Sequence, residues 1–203
     1  MKIYTQDSAE KVYEGILLEH KRQQMLPKVT IGNMFTKEYR WRIFVGITLN
    51  ILQQFTGINY FIFFAVKIFD EINDSGLLMF FIAANSMFLS YFPSKYFGDK
   101  YGRKWNMTVG NMFLVVTIIL LAIFTYIKWY PIFWLPLVIY VIAFSFGMGG
   151  IIPPYMGEIL PPVGGMFGFS IQWFTAGIIG KVSPLLSDSI GAGNLMMIFG
   201  FFC

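Results

Sequence analysis

Gln53, Gln54 and Asn59 are the side chains of this 203-residue chain whose chemistry most needs a reason. They sit in an apolar run, residues 43–66, that contains no Asp, Glu, Lys or Arg. Crossing a bilayer takes about 20 apolar residues, so the run is long enough to span one. A carboxamide carries N–H donors and an acceptor oxygen, and lipid satisfies neither. These amides must therefore face protein, water or a ligand. A ligand built of hydroxyl groups suits them best, because a carboxamide both donates to and accepts from O–H.

The spacing says what the backbone must do. Asn50, Gln54 and Gly57 fall at i, i+4 and i+7 and share one helix face. Gln53 and Asn59 lie about 120° apart on an unbroken helix. They converge across a wide polar face, or if the helix breaks near Gly57, where glycine permits a break. Broken helices at the bilayer midplane hold substrate in many transporters. The plainer reading is that the amides bond neighbouring helices together.

Two further clusters stand out. Gly98-Asp99-Lys100-Tyr101-Gly102-Arg103-Lys104 puts a carboxylate among three cations in a short turn. Flanking charge at a membrane surface explains the cations, but an Asp–Arg pair there also clamps two helix ends. Gly147, Gly149, Gly150, Pro153 and Pro154 weaken a helix severely. A packing kink or a gate lining a cavity both follow from that. Glu158 lies just beyond, as a solvated carboxylate or as a partner for Arg103 or Lys104.

The elements that position these groups are membrane spans. Hydrophobic residues make up 56% of the chain and charged ones 13%, about half the charge of a soluble domain. Spans are expected at 43–66, 76–97, 107–127, from 132 into the Gly/Pro stretch, and at 165–186. The apolar segment 194–203 is about half a span. Residues 1–42 form a polar arm, with a short amphipathic helix opened by a capping box at Asp7 and Glu10. The arm and the 98–104 turn hold most of the basic residues, which places both on the cytoplasmic or matrix side. Lys95 and Lys181 read as snorkelling cations. The polar, mixed-charge N-terminus reads as neither a signal peptide nor a transit peptide. The single cysteine, Cys203, excludes an intrachain disulfide. His20 is the only histidine. With no zinc spacing, phosphate loop or nucleophile–base set, the chain reads as no enzyme, with no metal, cofactor or nucleic-acid partner expected.

Taken in order, these motifs resemble the C-terminal half of the sugar porters within the major facilitator superfamily. Gln53-Gln54-Phe55-Thr56-Gly57-Ile58-Asn59 is similar to the QQxxGxN of that family's seventh helix. Gly98 to Lys104 resembles its D-R-x-G-R-R loop, and Gly149 to Pro161 resembles the tenth-helix segment ending E-I-F-P. Gln172-Trp173 and Ile190-Gly191 fall where later helices carry similar residues. The resemblance implies an all-α bundle, here five full transmembrane helices plus a truncated sixth, working as one of two six-helix halves that rock around a hexose. It implies Gln53, Gln54 and Asn59 as sugar ligands. Phe63 and Phe64 match an outer-gate Tyr pair. Asp99, Arg103, Lys104 and Glu158 would form a cytoplasmic charge network, and Gly149, Gly150, Pro153 and Pro154 a gate.

The chain also departs from that pattern. Pro153 stands where many members carry Trp, and Pro162-Val163-Gly164-Gly165 replaces the Arg after E-I-F-P. The stretch from Pro161 to Gln172 is short, and Asn85 is half a turn from the eighth-helix Asn. The other six-helix half and the end of the last helix are not covered. These departures lead to an expectation of a non-transporting accessory or scaffold subunit of a larger membrane complex, possibly respiratory. Other subunits would cover the Gln54 face, in the mitochondrial inner membrane or the plasma membrane. The rival expectation is the C-terminal half of a hexose transporter working with a separate N-terminal half.

Overall fold

A computed structural model describes residues 13–15, 17–18, 31–37, 39–62, 76–128 and 132–203. Every regular element among them is helical: α1 (Ile31–Met34), α2 (Arg40–Phe55), α3 (Gly76–Tyr101), α4 (Arg103–Tyr126), α5 (Trp134–Phe144), α6 (Gly150–Ile159), α7 (Pro162–Ile190) and α8 (Ala192–Phe202). A further helical stretch, 58–62, follows α2, and a π-helical turn, Ser145–Gly149, joins α5 to α6. Residues 13–15 and 17–18 are helical where the arm helix is expected. Asp7, Glu10, Phe63, Phe64 and the polar stretch 67–75 lie outside the described residues.

Three helices among the described residues are long and apolar enough to cross a membrane: Arg103–Tyr126, Trp134–Ile159 and Pro162–Ile190. Lipid is the solvent their outer faces fit. Phe201 is 85% exposed, and Trp41, Phe88, Trp173 and Phe174 are also mostly exposed. A soluble surface does not carry so many large apolar groups together. The chain is a membrane helix bundle.

The broken line α5–turn–α6 is its centre. Its apolar window is 67% buried, against 33% for α4 and 22% for α7. Leu137, Tyr140, Ile151, Ile152 and Met156 on this line are fully covered, as are Leu114, Ile118 and Leu121 of α4. Small residues let the neighbours approach, as is usual where lipid gives helices no hydrophobic reason to associate. A Cβ on Gly46 of α2 would stand 2.7 Å from Met156 Sδ, and Gly168 of α7 closes on the same side chain. On the opposite flank α8 packs on α4, with Gly193 against the Tyr126 ring and Gly200 against Ile118.

Two boundaries differ from the sequence expectation. The 98–104 loop shrinks to one residue, because α3 continues through Tyr101 and α4 starts at Arg103. Gly102, at φ 91°, makes the reversal alone, and Tyr101 packs on Trp105 across it with ring centroids 5.0 Å apart. The first span is not one helix either, since it breaks after Thr56.

Candidate functional site

The break in the first span follows from its sequence. Thr56 Oγ donates to the carbonyl of Gln53 at 2.7 Å, and the Gly57 N–H turns back to Gln54 O at 3.1 Å. Gly57 then takes φ +86°, a conformation that costs most L-residues about 1–2 kcal/mol. A Cβ there would also run into the Phe199 ring of α8. Helix resumes as Phe61 N–H reaches Gly57 O at 3.3 Å. The Thr56 carbonyl, at the break, accepts the buried Tyr140 hydroxyl of α5 at 2.8 Å.

This reversal gathers the amides. Asn59 Nδ2 donates to Gln54 Oε1, and Gln53 Nε2 reaches the Met148 carbonyl in the π-helical turn at 3.4 Å. Asn50 Nδ2 bonds to Gly46 O at 2.8 Å. Asn50, Gln53, Gln54 and Asn59 are 0%, 3%, 3% and 7% exposed, so the chain's own helices cover them. Asn50 Oδ1 and Gln53 Oε1 are buried acceptors with no donor among the described residues, as is Gln172 Oε1 on α7. Leaving such an atom unpaired costs about 1–3 kcal/mol.

The second break lies next to the first. Gly147, at φ −87° and ψ −105°, is not helical, and Pro153 and Pro154 inside α6 offer no N–H to the carbonyls four residues back. Gly147 meets Gly110 of α4 backbone to backbone: a Cβ on Gly110 would stand 2.5 Å from Gly147 Cα. Gly150 is equally confined by Ser94 and the Ser145 carbonyl.

At one end of the bundle Arg103 joins three helix termini. Its Nη1 lies 3.0 Å from Asp99 Oδ1 at the end of α3, and its Nη2 lies 2.9 Å from Glu158 Oε1 at the end of α6. Arg103 Nε donates to the same Glu158 oxygen at 3.2 Å. The carboxylates are about half exposed, so water weakens the pairs. Lys104 is exposed, and its backbone carbonyl accepts from Thr108.

The family profile described as "Sugar (and other) transporter" matches residues 2–203, nearly the whole chain. The chain belongs to the sugar transporter family. It is 33% identical over 173 residues to "Trehalose transporter 1" of Drosophila melanogaster, an alignment covering 78% of this chain and 20% of that protein. It is 28% identical over 214 residues to "Facilitated trehalose transporter Tret1" of Apis mellifera ligustica, covering 97% of this chain and 42% of that one. The Tret1 of Bombyx mori is 30% identical over 185 residues, covering 84% and 36%. The chain therefore spans less than half the length of these curated relatives. The family is one of transporters, not enzymes.

Within this member of the family, Gln53, Gln54 and Asn59 come together at one break, and Asp99, Arg103 and Glu158 at one end. Gly149 and Gly150 sit at the second break and Pro153 and Pro154 follow inside α6, while Asn85 bonds to Phe81 O of its own helix and joins neither group. The Gln54 face differs from the expectation of a polar seam awaiting another subunit. The reversal at Gly57 pairs Asn59 with Gln54, and the chain's own helices cover both. Tyr140, Ser94 and Asn106 were not singled out from the sequence. Only the fold shows the carbonyl that each one meets.

Proposed function

We propose that this chain forms one wall of the sugar path in an alternating-access transporter, with a hexose unit as the group it holds. Trehalose, named for the relatives, is two such units. Gln53, Gln54 and Asn59 are the ligands in this reading, joined by Asn50 and Gln172. What carries it is the pair of buried, unpaired amide oxygens on Asn50 and Gln53 beside a broken membrane helix. Sugar O–H groups supply the donors these oxygens lack, and the Gln54–Asn59 bond opens to admit them. A neutral ligand rich in hydroxyls fits this wall better than an ion, because no charged side chain belongs to the cluster.

The gate reading goes with it. Gly149, Gly150, Pro153 and Pro154 let α6 move relative to α5, Phe63 and Phe64 close the outer side, and the Arg103 network holds the inner side shut. Lys104 adds positive charge there. Five crossings with α8 as a shorter sixth segment fit the apolar runs, with the arm on the cytoplasmic or matrix side by its basic residues. The accessory-subunit expectation comes from the chain's departures from the family pattern and from a polar face in need of cover. The chain covers that face itself, and the relatives are named as transporters.

The test is equilibrium binding of radiolabelled glucose and trehalose to the purified chain in nanodiscs. Saturable binding of either sugar, weakened at least about tenfold by Gln54→Ala, is the expected result, since a lost buried hydrogen bond is worth about a factor of ten. No saturable binding of either sugar by the unmodified chain overturns the proposal.

A further inference from the structure

The π-helical turn is held by side chains from two other helices. In a regular helix the Gly150 N–H would reach the carbonyl of Phe146; here it bonds to Gly147 O. The Phe146 carbonyl accepts instead from Ser94 Oγ of α3 at 2.7 Å and from Asn106 Nδ2 of α4 at 3.0 Å. Asn106 Nδ2 also lies 3.0 Å from the Ser94 carbonyl and 3.2 Å from Ser94 Oγ. Both residues are 0% exposed. Ser94 further sits where any Cβ on Gly150 would have to go, so hydroxyl and glycine are fitted to one another.

We infer that Ser94 and Asn106 are positioning residues for the second break: together they hold the Phe146 carbonyl off the helix axis and fix the bend. A regular α5–α6 helix would return that carbonyl to Gly150, taking from Ser94 Oγ its acceptor and leaving Asn106 Nδ2 only its bonds to Ser94. Losing the bonds to the Phe146 carbonyl inside the bundle is unfavourable, so the two side chains bias the line toward its bent form. The inference rests on the proposed gate only in what the bend is for; the latch itself stands on the geometry. Asn106 Oδ1 and Ser145 Oγ, both buried in this region with no partner among the described residues, leave the latch short of full satisfaction. A latch of that kind is able to let go.

Hydrogen–deuterium exchange of the whole chain in nanodiscs, without sugar, tests it. Ser94→Ala and Asn106→Leu are each expected to speed amide exchange at residues 147–152 about tenfold relative to the unmodified chain. Thr108→Val, which removes a hydroxyl bonded within α4 alone, leaves those amides unchanged. Unchanged exchange at 147–152 in Ser94→Ala overturns the inference, and so does a rise spread evenly over every helix. Should Asn106→Leu fail to fold, Ser94→Ala decides alone, because it deletes only one oxygen. Sugar binding that fails while the exchange pattern holds rejects the transport reading and leaves the latch in place; the reverse result rejects the latch.

Discussion

The chain breaks two of its helical runs, and it breaks them by different means. At Thr56–Gly57 the backbone decides. Gly57 takes φ +86° against the Phe199 ring, and one hydroxyl, from Tyr140, meets the carbonyl beside it. At Ser145–Gly149 φ stays negative, and the bend is held by Ser94 and Asn106 from outside. A bend set by steric exclusion has no neighbouring helical alternative. One set by side-chain hydrogen bonds does, because the same atoms have a second arrangement available. The first break is thus suited to presenting amides in a constant geometry, and the second to moving.

The sharpest way to break this contrast is Gly57→Ala. It forces an L-residue into a left-handed conformation and drives a methyl into Phe199. The expected loss is about 2–4 kcal/mol, read from unfolding of the detergent-solubilised chain. A loss below about 1 kcal/mol would mean that the first break relaxes as easily as the second. Gly110→Ala comes next, at about 1–3 kcal/mol. It pushes on Gly147 by backbone contact, so exchange at 147–152 should rise with it.

Tyr140→Phe removes the hydroxyl that meets the Thr56 carbonyl and should cost about 1 kcal/mol. If the backbone fixes that break, the change leaves exchange at residues 58–62 nearly as slow as before. The smallest effect belongs to Glu158→Gln. Its pair with Arg103 is half exposed and is worth at most about 1 kcal/mol. Adding salt to the unmodified chain should remove most of that difference.

What the sequence made legible follows the same division. The first break was readable as a possibility, because Gly57 stands between amides that an unbroken helix would separate. The second was readable from Gly147, Gly149, Gly150 and the Pro153–Pro154 pair, all poor helix formers. The groups that meet the broken backbone were not readable. Tyr140 lies 84 residues from Thr56, and Ser94 lies 52 from Phe146. No spacing rule joins residues so far apart. The Arg103–Glu158 pair was open between Arg103 and Lys104 for a related reason. Both cations follow Gly102, and only the α4 helix, which starts at Arg103, decides which one points toward α6.

The contact between Gly110 and Gly147 has a mechanical meaning. Two main chains touch there with no side chain between them, so the α5–α6 line has a fulcrum and cannot tip further toward α4. From that fulcrum to Glu158 runs a lever of eleven residues, about 16 Å at helical rise. A tilt of about 10° at Gly147 swings the far end by about 3 Å, comparable to the whole 2.9 Å separation of Glu158 from Arg103. A small turn of one peptide at Gly147 thereby reaches as far as the gap between Glu158 and Arg103 at the end of the line.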